Sequence, residues 1–103
     1  MNNDRFLSTL GLARRASKLF YGYDSVCENA AKLYTVYLAN DVSERTKKNL
    51  AYTLEELDIP IVTTNYQKNE LGYAIGTKPV GIIGIADKGF AEILKDRIKE
   101  VIQ

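Results

Sequence analysis

Two loop segments combine residue types that could recognise a ligand. In the first, a predicted strand ends at Gly22, and a predicted helix begins at Asp24 or Ser25. Backbone N–H groups at a helix start can bind a phosphate, and an aspartate can accept hydrogen bonds from the N–H edge of a guanine. Aspartate and serine are equally typical of helix N-caps. Local sequence therefore supports a base-reading turn and an ordinary capped turn about equally.

The second segment, residues 76–80, joins a predicted helix to a predicted strand. Lys78 offers a cation, and Pro79 and Val80 give the loop an apolar tip behind Gly76 and Thr77. On its own the segment is better explained as a plain connection stiffened by proline.

Catalytic equipment is sparse in this sequence. The chain has no histidine, which removes the commonest general base and its pairings with serine or cysteine nucleophiles. The single Cys27 is interpreted as a small buried apolar residue. Without histidine and with one cysteine, the usual zinc and transition-metal sites are excluded, and no glycine pattern for a nucleotide cofactor is complete. The sequence predicts a protein that is not an enzyme and carries no cofactor.

Charge and composition indicate a small cytoplasmic protein. The 103 residues carry 14 basic and 13 acidic side chains, a net charge of +1. Arg14, Arg15 and Lys18 form one basic group and Arg45, Lys47 and Lys48 another, although solvated helix faces are the simpler interpretation of each group taken alone. One cysteine cannot form an internal disulfide, no signal peptide is recognisable, and no apolar run could cross a bilayer.

Helical and strand patterns alternate along the chain. Three helices are predicted near residues 3–16, from Asp24 or Ser25 to about Lys32, and over 67–75. Another helix is predicted from a capping box at Asp41 and Glu44 to Leu57. The last predicted helix follows a cap at Asp87, and its inward-facing residues are Phe90, Leu94, Ile98 and Val101. Strands are predicted over 19–21, 33–39, 61–64 and 80–86. Helices between strands imply crossover connections. We therefore predict one α/β domain over residues 1–103, a three-layer α/β/α sandwich with a small mixed, largely parallel four-stranded sheet.

The order of these elements and several motifs resemble one known family. The motifs are Gly-Leu-Ala-Arg-Arg-Ala-Ser-Lys-Leu at 11–19, Gly-Tyr-Asp-Ser-Val at 22–26, Val-Tyr-Leu-Ala-Asn-Asp-Val-Ser at 36–43, Glu-Leu-Gly-Tyr-Ala-Ile-Gly at 70–76, and the strand at 80–86. Together they are similar to the ribosomal protein family called L-seven-A-e, with the small bacterial YlxQ-like proteins as the nearest branch. The similarity covers roughly residues 5–95.

This resemblance implies an α/β/α sandwich that binds the kink-turn, a sharply bent RNA helix with tandem sheared G·A pairs. Family members read guanine edges with a glycine turn and the helix start behind it, and a loop before the last strand covers a flipped-out nucleotide. Carried onto this chain, the glycine is Gly22, and the guanine-reading pair is Asp24 and Ser25, where the family has asparagine and glutamate. The covering-loop positions are Thr77, Lys78, Pro79 and Val80.

The chain departs from the family pattern at several positions. Glu28 replaces a lysine that contacts the RNA, and Phe20 and Tyr21 replace basic residues before the glycine. Lys32 can reach a phosphate from the same helix, and Lys47, at an apolar contact position on the third helix, restores a cation.

Two functions follow from these sequence features. The first is non-catalytic binding of structured RNA. Its leading target is the kink-turn, and ribosomal RNA is one RNA that could contain it. The alternative is a protein-interaction module on the same fold, serving a ribosomal or translation-factor partner. Neither function involves a membrane or a metal.

Overall fold

The computed structural model describes residues 4–101, with side chains as far as Lys99. Five α-helices and four strands follow one another in these residues: α1 Arg5–Arg15, β1 Leu19–Tyr21, α2 Tyr23–Glu28, β2 Thr35–Leu38, α3 Glu44–Leu54, β3 Ile61–Thr63, α4 Lys68–Ile75, β4 Ile82–Ile85 and α5 Lys88–Val101. Short 3₁₀-helices at Ala30–Lys32 and Glu55–Leu57 follow α2 and α3. None of the helices in this described part is long and apolar enough to span a membrane.

The four strands form one mixed sheet in the order β1-β4-β2-β3. Only β2 and β3 pair in parallel; β4 is antiparallel to both β1 and β2. The predicted mixed α/β/α architecture is confirmed, but the prediction of a largely parallel sheet is wrong at the level of pairing. The strands β1, β2 and β3 do run in one direction, and the reversed β4 lies between two of them.

The loop over residues 76–80 explains why β4 is reversed. α4 has eight residues, so it spans about 12 Å. After it, the chain turns back along the same helix, and the Val80 N–H donates to the carbonyl of Lys68, the first residue of α4, at 3.1 Å. β4 therefore starts at the sheet end where β3 finished, and it must run the opposite way.

Helices cover both faces of the sheet. α1, α4 and α5 pack on one face, where Phe6, Leu10, Leu71 and Leu94 are fully buried. α2 and α3 pack on the other face around a second cluster of buried residues: Val26, Ala30, Leu33, Val36, Leu38, Leu50, Leu54 and Ile82. The predicted inward face of α5 is confirmed at Leu94 and Ile98, with Phe90 partly buried; the side chain of Val101 lies outside the described residues.

Two predicted details of the helices need correction. Ser43, not Asp41, caps α3, because the Ser43 hydroxyl accepts from the Thr46 N–H at 3.1 Å. Asp41 instead accepts from the Lys68 N–H at 3.0 Å, which ties the connection before α3 to the start of α4. α2 does not continue to Lys32 as a single helix, since Asn29 leaves the helical region and a 3₁₀-helix follows. The predicted cap at Asp87 is confirmed by its 2.9 Å bond from the Phe90 N–H.

Candidate nucleic-acid interface

Three chain segments meet at one end of the sheet. The Gly22 N–H, at the end of β1, donates to Ile82 at the start of β4 at 2.9 Å. The Ala39 N–H, at the end of β2, donates to Gly81 at 2.9 Å. The start of α2, the start of α3 and the last residues of loop 76–80, which returns along α4 from the far end of that helix, therefore lie at the same sheet end. We call this region the strand-end surface.

The Gly22 turn leaves the Asp24 carboxylate without a structural task. Gly22 itself occupies the cap position of α2, with φ 90° and ψ 152°, and the helix begins at Tyr23. The prediction that Asp24 or Ser25 caps this helix is wrong, because both lie inside its first turn. Asp24 is exposed, and among the described residues its carboxylate neither accepts a hydrogen bond nor forms an ion pair. Ser25 is half-buried beside it. A carboxylate with free acceptor positions at a turn is suited to binding N–H donors of a ligand.

Loop 76–80 is held against α4 by backbone contacts. Gly76 ends the helix in the left-handed region, and the Thr77 N–H donates to the Gly72 carbonyl at 2.8 Å. The Thr77 hydroxyl donates to the Lys78 carbonyl at 2.8 Å. Lys78 and Pro79 are exposed, whereas Val80 is only 9% exposed and packs into the core. Val80 therefore anchors the loop, and Lys78 and Pro79 are the side chains that it presents to solvent.

The two other predicted lysines occupy different places. Lys47 lies in the first half of α3 at the strand-end surface, with its Nζ 3.4 Å from Glu44 Oε2. That ion pair is exposed on the glutamate side and is worth little in water. Lys32 lies in the 3₁₀-helix just before β2 begins, which is the opposite end of the sheet. The structure thus brings together all the predicted site residues except Lys32.

Sequence reasoning missed one cation at this surface, Lys68. A Cβ on Gly81 would lie 3.3 Å from Lys68 Cε, so the lysine stem passes over Gly81 at the start of β4. The neighbouring acid is Asp41, whose carboxylate accepts from the Lys68 backbone. The available signal was the position of Lys68 directly after Gln67, at the start of a helix that begins at the same sheet end.

Comparison with known proteins assigns the chain to a family. The model of the ribosomal protein L7Ae/L30e/S12e/Gadd45 family matches residues 4–95. The chain belongs to this family. An RNA-binding protein YlxQ from Enterococcus faecium is 33% identical over 100 residues, covering 95% of each chain. The nearest branch expected from the sequence is consistent with that match.

Two solved structures share the fold. A protein of unknown function from Bacillus halodurans superposes with a TM-score of 0.84 at 32% identity, covering 94% of this chain and 99% of its own. A Giardia lamblia 15.5kD RNA binding protein superposes with a TM-score of 0.71, covering 98% of this chain and 91% of its own. At 17% identity, the similarity to the second structure supports the shared fold alone.

Burial is the main cause of the raised pKa values of Cys27 and Tyr37. Burial raises the pKa of the Cys27 thiol, although a hydrogen bond with Tyr23 opposes that shift. Burial likewise raises the pKa of Tyr37 to about 12. Cys27 is half-buried rather than fully buried. Among the described residues, no three acidic or cysteine side chains are grouped as metal ligands.

The two glycines with positive φ should respond differently to asparagine. Gly76, at φ 78° and ψ 32°, occupies the left-handed region that asparagine tolerates, so Gly76→Asn should change stability by less than about 1 kcal/mol. Gly22, at φ 90° and ψ 152°, occupies a region almost exclusive to glycine, so Gly22→Asn should cost about 1–3 kcal/mol. Urea midpoints of the two variants measure this difference. Equal midpoints would show that the Gly22 turn relaxes to another conformation.

Proposed function

We propose that this protein binds structured RNA without catalysing a reaction, and that the kink-turn is its leading target. Membership of the ribosomal protein family supports RNA binding, as does the relative named an RNA-binding protein over 95% of both chains. The observation that carries the proposal is the exposed, unpartnered Asp24 carboxylate beside Gly22, at the same sheet end as loop 76–80.

The proposed recognition divides between base reading and backbone contacts. Asp24 accepts from a guanine N–H edge, and the Ser25 hydroxyl supplies a second, shorter-range hydrogen bond. Lys78 and Lys47 bind phosphates, which fixes the position of the RNA without reading sequence. Pro79 offers an apolar surface to an unpaired base, and Thr77 holds the loop through its bond to the Lys78 carbonyl. This division matches how proteins select RNA by shape and by bases outside a regular duplex.

A protein partner from the translation machinery is the second candidate. Tyr73 and Leu12 are 88% and 50% exposed and line one groove between α4 and α1. Glu28, exposed at the end of α2, disfavours a close phosphate along that helix. Ribosomal and translation-factor proteins that bind through the groove would leave Asp24 without a role, so the same variants separate the two functions.

The deciding experiment is a titration with a kink-turn RNA and a matched RNA whose G·A pairs are replaced, at physiological salt. Asp24→Ala should weaken kink-turn binding by about 1–3 kcal/mol and reduce discrimination between the two RNAs, because a base contact is lost. Asp24→Asn keeps an acceptor oxygen and should retain most of the discrimination.

Asp96→Ala on α5 is the matched control, since Asp96 is also exposed and its loss changes the net charge equally. It should leave discrimination unchanged. If the wild-type protein binds both RNAs equally and weakly, the kink-turn target is wrong, and the protein-interaction function takes its place.

A further inference from the structure

β1 forms one edge of the sheet and leaves backbone groups unpaired. Within residues 4–101 it pairs only with β4. The Ala86 N–H donates to Lys18 at 2.8 Å and the Gly22 N–H to Ile82 at 2.9 Å, which places the paired positions at 18, 20 and 22. The N–H and C=O groups of Leu19 and Tyr21 therefore point outward. This edge runs from Gly22, in the strand-end surface, to Lys18 at the other end of the sheet, a distance of about 13 Å.

Two cations flank this edge, one on each face of the sheet, and each lies over an aromatic ring of β1. Arg14 Cζ is 5.2 Å from the Tyr21 ring centre, and its Nη2 donates to the Tyr21 hydroxyl at 3.3 Å. Lys32 Nζ is 5.8 Å from the Phe20 ring centre on the opposite face. The exposed Lys18 follows directly before the strand.

These cations keep their charge available to a ligand. Among the side chains that the structure describes, no carboxylate oxygen lies within 4.0 Å of Arg14, Lys18 or Lys32. The sequence has no acid from residue 6 to residue 23. An aromatic face attracts a cation and restricts its position but does not neutralise it. A guanidinium stacked on a ring retains donors for a phosphate.

We propose that this edge is a second RNA contact surface, which binds the sugar–phosphate backbone of the RNA arm that leaves the Gly22 turn. We call it the β1 edge surface and define it by Arg14, Lys18, Phe20, Tyr21 and Lys32. The inference rests on the proposed function, because it extends the strand-end surface along the adjoining strand. Positive charge without acidic partners complements phosphate. The outward backbone N–H groups at Leu19 and Tyr21 add donors of the kind that contact phosphates in nucleic-acid complexes.

The competing explanation is edge protection. Charged side chains beside a short edge strand prevent it from pairing with another chain. Edge protection requires the charges but predicts no dependence of RNA affinity on them. The acid nearest in sequence to Lys32 is Glu28, one helical turn earlier, and it does not pair with Lys32.

The test compares two triple variants that remove equal charge. The edge variant carries Arg14→Gln, Lys18→Gln and Lys32→Gln. The control variant carries Lys88→Gln, Lys95→Gln and Lys99→Gln on α5, all exposed positions away from β1. Each protein is titrated with kink-turn RNAs of long and short arms, and with the RNA whose G·A pairs are replaced, over a range of salt concentrations.

For the long-armed RNA, the edge variant should bind at least tenfold more weakly at physiological salt. The slope of its plot of log affinity against log salt concentration should be smaller in magnitude by about two to three, because each lost phosphate contact removes about 0.9 from that slope. Discrimination between G·A and replaced RNAs should be unchanged. The loss should disappear with the short-armed RNA, and the control variant should retain the wild-type slope.

Equal slopes for the edge and control variants, with discrimination intact, overturn the β1 edge surface and leave the Asp24 site standing. Aggregation of the edge variant at an unchanged slope assigns the charges to edge protection and also overturns it. A third outcome is that neither the wild type nor the variants discriminate between the RNAs, while the edge variant alone has a flatter salt dependence. This outcome contradicts the kink-turn target and supports the β1 edge surface. Arg14→Lys keeps the charge and should keep the slope, so a flattened slope in this variant would also contradict the proposal.

Discussion

Replacing Gly72 by alanine should destabilise the protein, although alanine normally strengthens a helix interior by about 1 kcal/mol. A Cβ at this position would lie 2.3 Å from the Lys78 carbonyl oxygen and 2.9 Å from Pro79 Cα. Both are backbone atoms, so loop 76–80 or α4 must move. We expect a loss of about 1–3 kcal/mol of unfolding free energy, the usual effect of overpacking. The displaced loop carries Lys78, so RNA affinity should fall as well.

The control for Gly72→Ala is Tyr73→Ala, one residue later on the same helix. The Tyr73 side chain is 88% exposed, so its truncation should change the unfolding free energy by about 0.5 kcal/mol or less. Urea denaturation of both variants measures the difference. A Gly72→Ala protein as stable as the wild type would mean that the loop does not lie against α4 in solution.

Phe6→Ala should have the largest effect on stability, because its ring joins three elements. The side chain is fully buried, with its ring centre 5.0 Å from Tyr37 on β2 in an edge-to-face contact and 5.6 Å from Tyr66, just before α4, in a stacked one. Truncating such a residue costs about 3–5 kcal/mol. Domains of this kind have about 5–15 kcal/mol in all. The melting temperature should fall by about 12 °C or more.

Two variants calibrate this result. Leu12→Ala on the same helix removes a side chain that is 50% exposed and should cost far less. Phe6→Leu keeps most of the volume and should lie between the two, since it loses the ring contacts but leaves a smaller cavity. Calorimetry on the three proteins gives the order. Equal losses for Phe6→Ala and Leu12→Ala would show that α1 does not pack through Phe6.

Most of the fold was predictable because hydrophobic periodicity reports each element separately. The strand at residues 19–21 and the end of the helix before Gly76 were located to the residue. The direction of β4 was not predictable from the same signal. It depends on loop 76–80 running back along α4. Two hydrogen bonds fix this path, from the Thr77 N–H to the Gly72 carbonyl and from the Val80 N–H to the Lys68 carbonyl, and no periodicity records them. A helix between two strands normally indicates a parallel crossover, and here the returning loop reverses it.

The positions of the candidate site residues were predictable only in part, and their role in RNA binding stays a prediction. Gly22 and Asp24 lie at the sheet end to which loop 76–80 returns. The assignment of a cap to Asp24 was wrong because Gly22, two residues earlier, occupies the cap position of α2. Val80 is buried, and Lys32 lies at the far end of the sheet, because residues within one short loop or helix can point to different surroundings. The cations of the β1 edge surface depend on tertiary contacts of α1 and the 3₁₀-helix with β1, which sequence spacing does not specify.

The position of β4 also determines when the protein can fold during synthesis. β1 and β2 do not touch each other, since the last strand of the chain lies between them. A growing chain that has emerged only as far as α4 therefore has two separated sheet fragments and no strand-end surface, because Gly22 and Ala39 are both joined to residues 81 and 82. Folding and the strand-end surface should thus appear together, once β4 has been synthesised, in one cooperative step. A chain synthesised only as far as α4 lacks this surface, and with it the RNA site that we propose there.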